Sequence, residues 1–178
     1  TSIDSTQLFF HAISKNEAKN VAIENNKLRV EVCTKGGAIA NVFLKEQKEG
    51  SNEYRYKSYK DFNEQNNKPL HIYSQDDASM MFTLDTKDGH IRTTDYDFEP
   101  IALTDSSVTM RLATQDGNSY LDIVYKLHHD NYLLDFSVQT HGMDKYVSAN
   151  TNLVKIDWQK KAAQLEKGFK FENQYSTL

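Results

Sequence analysis

The stretch LRVEVCTKGGAIANVFL, residues 28–44, constrains the fold of this chain more than any other. Leu28, Val30 and Val32 fall on one side of an extended segment and Arg29, Glu31 and Cys33 on the other, the period-2 pattern of a half-buried strand. Gly36 and Gly37 admit positive φ without a Cβ clash, and the polar Thr34 and Lys35 before them suit a turn, so residues 38–44 are expected to return antiparallel. The hairpin by itself carries no chemistry, since paired glycines between strands occur throughout β proteins.

The rest of the chain repeats the same grammar. A short strand is expected over Val21, Ala22 and Ile23, then a turn at Asn25 and Asn26 before the hairpin. Residues 45–67 are dominated by charged and amide side chains interleaved with Tyr54, Tyr56, Tyr59 and Phe62, which predicts a long loop ordered by its aromatics. After Pro69, residues 70–73 read as an edge strand, because proline cannot donate to a ladder. Strands follow over 80–85, 101–103 and 108–113, with turns at 87–89 and 105–107 and short extended pieces between 91 and 100. In residues 119–127, Leu121, Ile123 and Tyr125 alternate with Asp122, Val124 and Lys126. A turn at His129, Asp130 and Asn131 then leads to a strand over 132–140 that alternates through Leu134, Phe136 and Val138. One more strand spans 152–158, and residues 160–167, rich in helix formers up to Gly168, predict a short helix or turn.

A chain of 178 residues is one domain's worth and is long enough to bury a substantial core. Hydrophobic residues at 38% and charged ones at 26% exclude a disordered composition. The abundance of Tyr and Phe favours β structure over a helical bundle. A formal net charge of -4 provides no basic footprint for nucleic acid. The single cysteine, Cys33, allows no intrachain disulfide, and its place in a strand reads as a packed small hydrophobe. No run of about eighteen apolar residues is present, and no signal segment opens the chain. With about ten strands joined mostly by short turns, the expected class is all-β, two packed antiparallel sheets.

Candidate chemistry is sparse. His128 and His129 are neighbours in a turn, so their side chains diverge and do not form a metal pair, while His11, His71, His90 and His141 are scattered singly. In DYDFEP, Asp95, Asp97 and Glu99 alternate with Tyr96 and Phe98, which would place three acids on one solvated face and the aromatics in the core. Asp76 and Asp77 form a second acidic pair. Phosphate loops, a nucleophile elbow and a Walker lysine are absent. No catalytic, cofactor-binding or metal residues are assigned.

Four segments in order carry a family resemblance. IENNKLRVEVCTKGGAIANVFLKEQK (23–48) resembles the opening of the large periplasmic domain of the YidC family of bacterial membrane protein insertases, in the form seen in Bacteroides-like bacteria. TTDYDFEP (93–100) and DIVYKLHHDNYLLDFSV (122–138) fit strands within that domain, and EKGFKFENQYSTL (166–178) resembles a segment near its end. The resemblance implies a large twisted antiparallel β-sandwich, a supersandwich like that of galactose mutarotase, truncated at its carboxyl end with an exposed edge. It implies a lead-in over residues 1–20 and the sandwich domain over 21–178. It further implies a non-catalytic domain without cofactors at the periplasmic face of the bacterial inner membrane, in a parent with membrane spans on both sides. The implied partners are SecDF, the Sec translocon and nascent inner-membrane proteins, and no nucleic acid. Two other expectations follow: a carbohydrate-binding or mutarotase-like sandwich, with Tyr54, Tyr56 and Tyr59 lining a groove, and a chaperone that catches extended clients along an open edge.

Overall fold

In a computed structural model, residues 17–45, 71–87, 89–115, 117–147, 154–161, 170 and 174 are described. The expected lead-in, apart from 17–20, the loop with its tyrosines, and most of the 160–167 and 166–178 segments lie outside them.

The hairpin forms as its alternation dictates. Strand β1 (Asn20–Glu24) pairs antiparallel with β2 (Leu28–Cys33), which pairs with β3 (Ile39–Leu44), and β4 (His71–Ser74) closes this sheet as an edge. Leu28, Val30 and Val32 are buried while Arg29 and Glu31 are only half-buried, and Cys33 is packed inside. A second sheet has the order β10-β9-β8-β7, from β7 (Glu99–Leu103), β8 (Ser107–Ala113), β9 (Tyr120–Leu127) and β10 (Leu134–His141). A third has the order β11-β5-β6, from β5 (Ala78–Thr86), β6 (Gly89–Arg92) and β11 (Val154–Lys160). All ladders between named strands are antiparallel. The chain is therefore all-β and sandwich-like, with the strands of the described residues divided among three sheets rather than the expected two. Among the described residues, β10 and β11 each stand at the end of a sheet and do not pair with one another.

A single core joins the sheets. Ile23, Val30 and Val32 come from the first, Tyr125, Ile123 and Met110 from the second and Phe82 from the third, all fully enclosed. Burying one such aliphatic side chain contributes roughly 1.5–3 kcal/mol. The turn after β2 is held in place by backbone bonds: Gly36 N–H donates to the Tyr96 carbonyl at 2.9 Å and Phe98 N–H to the Thr34 carbonyl at 2.7 Å. Gly37 sits at φ +62, and a Cβ there would lie 2.9 Å from the Phe98 ring and 3.2 Å from Ile123, so both its handedness and its closeness require glycine. The Tyr125 hydroxyl donates to the Gly37 carbonyl at 2.8 Å, tying the centre of the second sheet to the same turn.

At the end of the molecule carrying the β1–β2 turn, Asn25 Oδ1 accepts the N–H groups of Lys27 and Leu28 at 2.8 and 2.7 Å, an Asx turn. Its Nδ2 donates to the carbonyls of His128 and Asn131 in the β9–β10 turn. Glu24 N–H donates to the Asp105 carbonyl in the β7–β8 turn at 2.6 Å. Local turn chemistry thereby becomes a long-range clamp.

Two local expectations are corrected. Asp95 lies in a 3-10 turn (Thr93–Asp95) rather than an extended run, closed by Tyr96 N–H donating to the Thr93 carbonyl at 3.0 Å, while the buried Thr93 hydroxyl accepts Phe82 N–H at 3.1 Å. Lys160, expected to open a helix, is the last residue of β11, held in register opposite Ala78.

Candidate functional site: an apolar cleft between two strand edges

β2 and β3 turn Leu28, Val30, Ile39 and Val42 to one side of the first sheet, and this face forms the floor of a cleft of about 450 Å³. Ile72 and Tyr73 of β4 complete it, and the walls come from Tyr132 just before β10, Leu134 at its start, and Trp158 and Lys160 at the end of β11. The cleft thus lies where the second and third sheets part. Exposed apolar side chains gather on these two strands and just before β10: Trp158 is 56% exposed, Tyr132 57%, Ile156 41% and Phe136 37%. Phe136 leans across the parting, its ring 6.1 Å from Phe82 of β5 and 6.4 Å from Tyr125.

Polar groups in the cleft are few. Lys160 Nζ pairs with Asp77 at 3.4 Å. Tyr73 is buried, its ring edge-on to Trp158 at 6.2 Å, and its hydroxyl closes no hydrogen bond. Burial raises its pKa above the ordinary phenol range. The Trp158 indole N–H alongside opposes that rise without offsetting it, and Asp77 adds to it.

The histidines and acids singled out above do not converge. His90 pairs with Asp85 and His128 with Asp135, each exposed and on separate strands. His71 packs on Phe43 at 4.2 Å and His141 stacks on Tyr120 at 4.8 Å, His129 is exposed in its turn, and His11 lies outside the described residues. Asp95 pairs with Arg92 at 3.3 Å, Asp97 is bridged through its backbone to Lys35, and Glu99 sits opposite Arg111 in the ladder. Tyr96 and Phe98 between them are buried as expected. Among the described residues no three His, Cys, Asp or Glu side chains group as a metal site. A sugar site needs convergent polar groups, which the almost wholly aliphatic and aromatic cleft does not offer.

One polar cluster was not foreseen from sequence. Arg111 holds Asp122 bidentately at 2.8 and 2.7 Å and lies 3.5 Å over the Tyr120 ring. Hydrogen bonding to Asp122 raises the Arg111 pKa further, against a smaller opposing effect of burial, which locks its charge. Arg111 and Asp122 are directly opposite in the β8–β9 register, so the pairing was encoded in strand register alone. On the first sheet, Glu31 faces the opposite side from the cleft floor. Burial alone would raise its carboxyl, but hydrogen bonds from Asn41 and Arg29, the Arg29 charge and a bond from Asn20 outweigh it and hold the pKa below the ordinary value.

Comparison with known proteins then assigns the fold to a lineage. The family profile described as "YidC periplasmic domain" matches residues 20–177. The chain belongs to the YidC periplasmic domain family. It is 39% identical over all 178 residues to a protein of Bacteroides fragilis named membrane protein insertase YidC, of which it covers 26%. Proteins of the same name from Phocaeicola vulgatus and Porphyromonas gingivalis are 36% identical over 99% of the chain and 34% over 94%, covering 26% and 24% of those relatives. The chain thus spans about a quarter of the length of these relatives. No solved structure matches. Among the described residues no helix is long and apolar enough to cross a membrane. In family terms, the cleft and its flanking edges are features of a YidC periplasmic domain, and Arg111–Asp122 and the Gly37 turn are parts of its scaffold.

Proposed function

We propose that this chain works without catalysis as the periplasmic domain of an inner-membrane protein insertase, at the periplasmic face of the bacterial inner membrane, with residues 1–20 leading into a sandwich over 21–178. The observation that carries this reading is the match of the family profile to residues 20–177 together with 39% identity along the whole chain to a relative named membrane protein insertase. The absence of convergent acid and base groups at the cleft among the described residues fits a domain that works by contact. Its contacts are to SecDF, to Sec translocon components and to nascent inner-membrane proteins, which it steadies while the parent's membrane region releases them into lipid.

The experiment replaces residues 20–177 of the full-length parent by a short flexible linker, or by the matching segment of the Bacteroides fragilis relative. Insertion of a reporter inner-membrane protein is followed by protease protection, and SecDF by co-purification. The linker version is expected to insert more slowly and to lose SecDF, and the relative's segment to restore both. Unchanged insertion and co-purification with the linker would overturn the reading.

A further inference from the structure

We propose that the cleft is a small-molecule site for an uncharged acyl ester, with the alkyl chain on the apolar floor and the ester carbonyl accepting a hydrogen bond from the Tyr73 hydroxyl. The site rests on its own geometry; the insertase reading above supplies a bilayer alongside as the source of acyl lipids. Tyr73 lines the cleft, is 5% exposed, and its hydroxyl closes no hydrogen bond. A buried hydroxyl left unpaired is costly, so one retained in the wall of a cleft marks the place where a ligand atom bonds. The Trp158 indole N–H stands alongside it as a second donor. Two neighbouring donors call for an acceptor, and a carbonyl oxygen has two lone pairs to offer them. The other buried orphan among the described residues, Asn26 Oδ1, belongs to the β1–β2 turn and does not line the cleft.

The surroundings decide the charge of that acceptor. Asp77 lies close enough to help push the Tyr73 phenol upward, so its field repels an anionic head at the same place. Asp77 also pairs with Lys160 Nζ at 3.4 Å, which leaves the lysine of the lining already neutralised and no partner for a carboxylate. An ester carbonyl accepts without carrying charge. The rest of the ligand is apolar, because Leu28, Val30, Ile39 and Val42 form the floor. A cleft of about 450 Å³ falls within the ~300–1,000 Å³ of pockets that enclose small ligands, and an apolar lining with a few placed polar groups is their usual composition. A sugar would leave its hydroxyls unpaired on this floor. A polypeptide would do the same with its amide N–H groups, for which the lining side chains offer no carboxylate or carboxamide.

The test titrates the 178-residue chain with monodecanoylglycerol below its micelle threshold and follows the emission of Trp158, the single tryptophan of the chain and part of the cleft wall. Decylglycerol, the ether that lacks the carbonyl, and decanoate, which carries a charge, are titrated in parallel. The expected result is a saturable blue shift with the ester. The ether binds roughly fivefold more weakly for want of one hydrogen bond, and decanoate roughly tenfold more weakly. Tyr73→Phe weakens the ester by the same roughly fivefold and leaves the ether unchanged, a cycle that a merely structural role of Tyr73 would not produce. Ile72→Asp, on the rim of the cleft, weakens ester and ether alike, and Leu103→Asp on β7 weakens neither. Absence of a saturable shift overturns the proposal, as does equal binding of ester and ether, which would reduce the site to apolar adsorption. Tighter binding of a short uncharged apolar peptide than of the ester would assign the cleft to polypeptide and overturn it too. Ligand binding is read on this chain and insertion on the full-length parent, so failure of one is distinguishable from failure of the other.

Discussion

The Gly37 turn and the cleft are built from the same kinds of residue and behave as opposites. At the turn, backbone groups of Gly36 and Phe98 are paired across elements, the Phe98 ring fills the space a Cβ would need, and the enclosed Tyr125 hydroxyl is satisfied. At the cleft, Tyr73 is also buried, though less deeply, and its hydroxyl has no partner, while among the described residues β10 and β11 do not pair with one another. Burial raises the pKa of both phenols, more strongly at the deeper Tyr125, and the hydroxyls differ as well in hydrogen bonding. Rigidity is concentrated where distant segments converge, and adaptability is left where the sheets part.

The largest expected effect breaks the tight side of this contrast. Gly37→Ala forces a side chain against Phe98 at φ +62 and is expected to cost about 3 kcal/mol in urea unfolding. Gly117→Ala, at φ +69 with nothing within 4 Å, is expected to cost about 1 kcal/mol. Equal costs would mean that handedness alone demands glycine. Next comes Arg111→Met, which leaves Asp122, 7% exposed, without its guanidinium. Thermal unfolding is expected to show a loss of about 2 kcal/mol, with less than additive loss when Asp122→Asn is combined with it.

The two phenols give a sharper comparison at a smaller scale. Tyr125→Phe removes a formed bond to the Gly37 carbonyl and is expected to cost about 1 kcal/mol. Tyr73→Phe removes a hydroxyl with no partner and is expected to be neutral or stabilising within about 0.5 kcal/mol. A cost at Tyr73 equal to that at Tyr125 would show that its hydroxyl is bonded in solution. The smallest effect concerns acid. Glu31 has its folded pKa below 4.5, so its contribution is complete above the unfolded value and is lost as pH falls through the folded one. Glu31→Gln is therefore expected to flatten the acid limb of a stability-against-pH curve below about pH 4.5; an unchanged limb would remove Glu31 from acid unfolding.

How much of this was legible depends on whether a feature is local. The β2–β3 hairpin was, because alternation at Leu28, Val30 and Val32 and the paired glycines are neighbours in sequence. Leu134, Phe136 and Val138 alternate just as Leu121, Ile123 and Tyr125 do, yet the first set is half-buried to exposed and the second enclosed. Periodicity states which face is apolar, not whether another layer covers it. The cleft escaped sequence reasoning for that reason, since its lining comes from five strands and the residues before β10. The bidentate Arg111–Asp122 pair escaped because register is a property of two strands together. The resemblance, by contrast, was carried by the order of short motifs and pointed to the family that the whole-chain comparison then established.

Pro100 and the bulge beside it in β7 bear on how such domains share a crowded surface. A proline removes one rung from the outer ladder and the bulge twists the remainder, so this flank cannot zip onto an identical flank of a neighbour. Copies held side by side would slide past one another there instead of polymerising. A margin blunted in this way leaves the sheet open at β7 without making it a template for fibres of its own chain.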